Sequence, residues 1–230
     1  KIGTNYLPIS SKQNIGFLKT VIYSNWTIQH IIWTFKQIQS AFNHSPLIYK
    51  SNWNDMTAQI STPEEIKKIK NNSIVYQRQM ALYPEYIKDP GLAMITDSSV
   101  VKGLNLQDPF RNIVSINDHM KIPFQVGVHK AVGGDHDFPN PGDILCAALA
   151  ACLESTIRMV ANILGIELLK TQITASAKVD VRGTLMIDKT VPVGFQSMHL
   201  DVVLTTQSPN EKMLNVLFTA SKASCIVYQT

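Results

Sequence analysis

Cysteine is scarce. The chain has three in 230 residues, an odd number and too few to staple a secreted scaffold with disulfides. No charged leader running into an apolar core opens the sequence, so no secretory signal is expected, and a reducing, cytosolic setting is. Long apolar runs are missing as well. The longest, such as ILCAALAACL, is about half of what a membrane-spanning helix needs, and no membrane partner is expected. A surplus of basic charge on the main body is also lacking. The net charge of +4 comes from residues 1–55, with five lysines and Asp55 as their single acid, while residues 56–230 carry sixteen basic and sixteen acidic residues. A nucleic-acid partner is therefore not expected. There is no CxxC or HxxxH pair, no phosphate loop, no dinucleotide-binding glycine pattern and no GxSxG turn, so neither zinc, nor a nucleotide, nor a serine nucleophile is indicated. In GGDHDF, Asp135, His136 and Asp137 are adjacent in a glycine turn and read as a loop rather than a metal site.

What is present divides the chain in three. Residues 1–55 have no arginine and no methionine. They are read as an N-terminal extension, with Met56 as the expected natural start. Residues 56–91 form a helical arm: Thr62, Pro63 and Glu65 make a capping box with proline at the first helical position, Ile66, Ile69, Ser73, Tyr76, Met80 and Tyr83 follow on one stripe, and Pro84 is the expected stop. Residues 92–230 hold the main domain. Strand-like pieces AMITDSSVV, RNIVSIND and IPFQVGVHK lead to the loop AVGGDHDFPNPGD. Asn140, Pro141 and Asp143 then start a helix that Gly165 ends. Its apolar positions occupy most of the circumference, which predicts a buried central helix. Glu154 and Arg158 are spaced for an ion pair on its narrow polar side. Two alternating segments follow, QITASAKVDVRG and QSMHLDVVLTT, then a helix opening on a box from Ser208 to Glu211 and running toward Cys225. Strands, buried helix, two strands, helix is an α+β plan of antiparallel strands and packed helices.

The proline-led helix PGDILCAALAAC, the strand pair after it and the closing SCIVYQ resemble the OsmC/Ohr family of thiol-dependent peroxidases, over roughly residues 92–230. The stretch VDVRGTLMIDKTVPVGFQSM is similar to a less characterised branch of it. The resemblance implies the OsmC-like fold: antiparallel sheets around a long central helix, in an intertwined homodimer. It implies that Cys152 attacks an organic hydroperoxide and becomes a sulfenic acid, that Cys225 condenses with it to a disulfide, and that an external dithiol reductant restores both, without a bound cofactor. The alternative on the same fold is a non-catalytic protein binding a small hydrophobic molecule. Since the chain ends at Thr230 without a capping signal, a C-terminal continuation is expected.

Cys146 reads as a small core residue, turned about 120° from Cys152 on one helix and so no disulfide partner for it. Cys152 lies three turns into its helix, where the dipole has faded, so a cation from elsewhere has to favour its thiolate. The resemblance implies an arginine from the preceding strands, held by a glutamate after the helix proline. This chain has Gly142 at the glutamate position, then Asp143, and His129 and Lys130 near the place of the arginine. Arg111, Arg158 and Arg182 are the candidate substitutes, with Arg158 read first as the partner of Glu154.

Overall fold

The computed structural model describes residues 62–117, 120, 122–207 and 210–230. The extension 1–55, the Met56 start and Ser208 of the expected second capping box lie outside them. The arm is two helices, α1 (Pro63–Asn72) and α2 (Ile74–Lys88). The Thr62 box forms as expected: the Glu65 N–H donates to Thr62 Oγ1 at 3.4 Å, and the Thr62 N–H donates to Glu65 Oε2 at 2.8 Å. The single stripe breaks at Ser73, whose backbone is extended (ψ 107°) and whose Oγ accepts from the Tyr76 N–H at 3.0 Å to start a new helix. Pro84 does not stop that helix, which runs to Lys88. The stop belongs to Asp89, extended because a proline follows it, with its Oδ1 accepting from the Gly91 N–H.

Among the described residues, two antiparallel sheets carry the strands. β1 (Ser99–Gly103), β2 (Asn112–Ile116) and β3 (Ile122–Val126) form a meander in that order. β4 (Leu168–Lys178) and β5 (Ser197–Thr206) form a long hairpin, with Ile173 opposite Val202 and Ala175 opposite Leu200. β4 begins earlier than the alternation suggested and stops before Val179 and Val181. There Gln196 takes over both sides of the ladder, donating its N–H to the Lys178 carbonyl and accepting the Asp180 N–H. Asp180 then binds the Arg182 guanidinium with both oxygens, which turns the chain out of the sheet.

The long helix α3 spans Pro141–Leu164. Asn140 Oδ1 accepts the Gly142 and Asp143 N–H groups, and Asp143 Oδ2 accepts the Asn140 N–H in return, so the predicted start is built as a reciprocal box. Gly165 ends the helix in the left-handed region at φ 68°. It also lets the arm close in, because a Cβ there would sit 2.7 Å from Ile69. Asn162 fixes the same junction by accepting from Ser73 Oγ at 2.7 Å and from the Val75 N–H.

Leu149, Leu153, Ile157, Val160 and Leu164 of α3 pack against Leu200 and Val202 of β5 and against Leu217 and Ala220 of α4 (Glu211–Ser224). Asn210 caps α4 by accepting the Met213 N–H. By length and composition alone α3 could cross a membrane, but this stripe is the core of the domain. The fold is α+β, with antiparallel sheets and one long helix. In one respect the reading of α3 is corrected: its burial is one-sided. Leu145 and Met159 are 42% and 40% exposed, and none of its first eight residues is buried. Within one chain β4 and β5 cover the helix from one side, whereas β1, β2 and β3 pack chiefly on each other and β1 is exposed along its length.

Candidate active site

α3 carries Cys152 at its middle, partly exposed, one residue before the fully buried Leu153. Cys225 comes from the other end of the domain. α4 packs on α3 through Leu217 and Ala220, ends at Ser224, and gives way at Cys225 to a last helical turn, α5 (Ile226–Gln229). That extended residue (φ −82°, ψ 109°) drops its side chain against α3. The result is a pair of free thiols separated by 73 positions in sequence, with Sγ atoms 3.3 Å apart and Cys225 donating to Cys152. A sulfur-to-sulfur bond needs a closure of only about 1.3 Å from here, judged against the roughly 2.05 Å of a disulfide.

The two sulfurs differ in burial. Cys225 is fully buried. Burial pushes its thiol above the usual range, and Cys152 beside it does so further, while the Tyr228 N–H and the Thr156 hydroxyl act in the opposite direction. In the pair Cys225 is the hydrogen-bond donor and Cys152 the acceptor. Cys146, six residues back, is also free, and its thiol is pushed up by burial and by the nearby Asp143 carboxylate. It has no part in the pair.

Each arginine considered as an activating cation is bound to carboxylates. Arg111 is clamped by three: Asp108 at 2.8 Å, Asp137 at 2.8 Å, and Asp135. This ties the start of β2 to the GGDHDF loop, engages Asp135 and Asp137, and leaves the Asp108 and Asp137 carboxyls below the usual carboxylate range. His136 in the same loop stands edge-on to His129, ring centroids 4.5 Å apart. Arg158 pairs with Glu154 at 2.8 Å, as the spacing predicted, and Thr171 of β4 donates its hydroxyl to the same Glu154 oxygen. Arg182 pairs with Asp180 and more distantly with Asp188.

The glycine in place of a glutamate at the helix start also has a packing cause. A Cβ at Gly142 would meet Asn140 Oδ1 at 2.9 Å and the Phe195 ring at 3.3 Å. The N-terminal box and the ring from the loop before β5 occupy the room a longer side chain would need. Sequence reasoning passed over Phe195, and nothing local could have shown that its ring reaches residue 142. It gave Thr156 no role. The signal available there was the spacing of four from Cys152, which sets a hydroxyl beside a candidate redox thiol.

The fold and the site together define an α+β protein in which a partly exposed thiol on the long helix faces a buried thiol from the turn after α4. Residues 134–230 match the family described as OsmC-like protein. An organic hydroperoxide resistance protein from Elizabethkingia anophelis is similar over 59% of this chain and 87% of its own, at 19% identity and a TM-score of 0.44. One from Legionella pneumophila, described as OsmC, is similar over 59% and 88% at 20% identity and a TM-score of 0.43. An OsmC-like protein from Mycoplasma pneumoniae covers 59% and 86% at 13% identity, with a TM-score of 0.46. No curated protein matches the chain significantly.

Proposed function

We propose that the protein reduces organic hydroperoxides with the thiol pair Cys152 and Cys225. The observation that carries this reading is the 3.3 Å approach of the two sulfurs from distant parts of the chain. The Cys152 thiolate attacks the peroxide O–O bond, the alcohol leaves, and Cys152 becomes a sulfenic acid. Cys225 then displaces the sulfenic hydroxyl. The sulfur–sulfur bond forms, the carbon-bound sulfurs are oxidised by two electrons in total, and the Cys225 proton leaves with the hydroxyl as water. A dithiol reductant reopens the disulfide by exchange, which places the cycle in a reducing compartment. The partly exposed Cys152 can meet a substrate, and the fully buried Cys225 is kept from peroxide until it is needed.

The engagement of Arg111, Arg158 and Arg182 favours a second reading, a non-catalytic protein on the same fold that binds a small hydrophobic molecule. Thiol titration before and after one equivalent of cumene hydroperoxide separates the two. The catalytic reading expects loss of two thiols per chain without a crosslink between chains. Retention of all three thiols supports the second.

The open side of α3 bears on assembly. Leu145 and Met159 on the helix, and Val101 and Ile122 on the meander, are apolar and exposed in the single chain. Burying such surface stabilises association by about 25 cal/mol per Å², and the partner proposed is a second copy of the chain. Light scattering on the eluting protein is expected to give the mass of a dimer at micromolar concentration; a well-folded monomer there would contradict it.

A further inference from the structure

The two sulfurs that lie 3.3 Å apart have different surroundings. Cys152 is partly exposed on α3, whereas Cys225 is 0% exposed and belongs to the core cluster with Leu217 and Ala220. The end of the chain also closes around Cys225. The Gln229 N–H donates to the Cys225 carbonyl at 3.1 Å, and Gln229 Nε2 donates to the Lys222 carbonyl at 2.8 Å, which ties α5 back onto α4 across the cysteine. That Lys222 carbonyl is one of the last four of α4, which have no acceptor role inside the helix. The Lys222 side chain lies over the Phe218 and Tyr228 rings, its Nζ 5.5 Å from each centroid.

A thiolate that opens a disulfide approaches the attacked sulfur from the side opposite the sulfur that leaves, so access to that side decides which sulfur is struck. For Cys225 that side is protein, since no part of the residue is exposed. Cys152 has an open side. Resting on the thiol-pair cycle proposed above, we infer that the reducing thiol enters at the Cys152 sulfur, so that the mixed disulfide forms on Cys152 and Cys225 is the sulfur released. The reductant's sulfur bonds to Cys152, the bond from Cys152 to Cys225 breaks, and Cys225 leaves with the electron pair and takes up a proton. A second thiol of the reductant then attacks its own bound sulfur, closes a disulfide within the reductant and frees Cys152. The reductant is oxidised by two electrons and the cysteine pair reduced by two. Cys225 therefore attacks Cys152 in the oxidising half of the cycle and departs from it in the reducing half, without facing solvent in either. Burial makes Cys225 the slower leaving group, which sets the pace of reopening but not the point of entry.

The test needs no peroxide. The full chain carrying Cys146→Ser, in the assembly it adopts in solution, is linked between Cys152 and Cys225 with diamide. Excess sulfite then opens the link, leaving a sulfonate on the sulfur it attacks and a thiolate on the other. Samples are quenched in acid at successive times, the free thiol is alkylated, and peptide mass spectrometry reads which cysteine carries the sulfonate. The folded chain is expected to carry it on Cys152 at least roughly tenfold more often than on Cys225, and the linked chain unfolded in guanidinium to carry it on both within about twofold. Glutathione in place of sulfite is expected to show the same preference. A folded chain with the adduct mainly on Cys225 or evenly divided, or one that does not react where the unfolded chain does, would overturn the inference. Entry at Cys152 in a chain that hydroperoxide does not link would sink the peroxidase reading alone, and a chain that diamide cannot link would sink both.

Discussion

Cys152→Ser is expected to abolish consumption of organic hydroperoxide, by roughly a thousandfold or more, since an active-site nucleophile carries most of the rate it makes possible. The serine hydroxyl is not ionised near neutral pH and lacks the polarisable sulfur that attacks the O–O bond. The fold should survive, because Cys152 is partly exposed and the core stripe runs through Leu149, Leu153 and Ile157 instead. Cys225→Ser has a different signature. Cys152 still reacts once, its sulfenic acid finds no partner at 3.3 Å, and excess peroxide carries it on to the sulfinic state. Cys146→Ser should leave consumption unchanged. A steady-state assay with cumene hydroperoxide and a dithiol reductant, followed by intact-mass analysis, distinguishes the three variants. Activity retained in Cys152→Ser would remove that residue from the chemistry.

Leu153→Ala is expected to cause one of the largest stability losses available to a single substitution. Leu153 is 0% exposed and stands in the helix stripe that faces β5 and α4. Removing its isobutyl group costs the burial of those atoms and leaves a cavity that neighbours on three elements cannot close together, about 3–5 kcal/mol in all. For a domain of this size that lowers the melting temperature by on the order of 10 °C. Leu169→Ala on β4, where the side chain is exposed, should change it by less than about 2 °C. Calorimetry on the two variants checks the contrast. Equal effects would mean that the stripe through Leu153 is not the core.

The parts of the fold legible in the sequence were those with local causes. α3 announced itself through Asn140, Pro141, Asp143 and Gly165, because caps and stops are set by groups within a few positions of each other. The α1 box from Thr62 to Glu65 was legible for the same reason. The break at Ser73 was not, since its Oγ is also held by Asn162, 89 positions away. Nor was the end of β4, where Gln196, just before β5, donates its N–H to the Lys178 carbonyl and accepts the Asp180 N–H. At the site, Cys152 and Cys225 were named from a family resemblance. Spacing alone could not have shown that the turn after α4 brings them to 3.3 Å. Arg111 was weighed as a cation for Cys152, but the three aspartates that hold it come from two loops, one of them more than twenty positions away. The one-sided burial of α3 was hidden by composition, because an apolar circumference does not say which side the same chain covers.

The most direct measurement is peptide mass spectrometry of the wild-type chain, alkylated after one equivalent of cumene hydroperoxide. The thiol-pair mechanism predicts a single intrachain link between the peptides carrying Cys152 and Cys225, with Cys146 recovered as the alkylated thiol. Recovery of Cys152 and Cys225 both alkylated, or oxidation confined to Cys146, would contradict it.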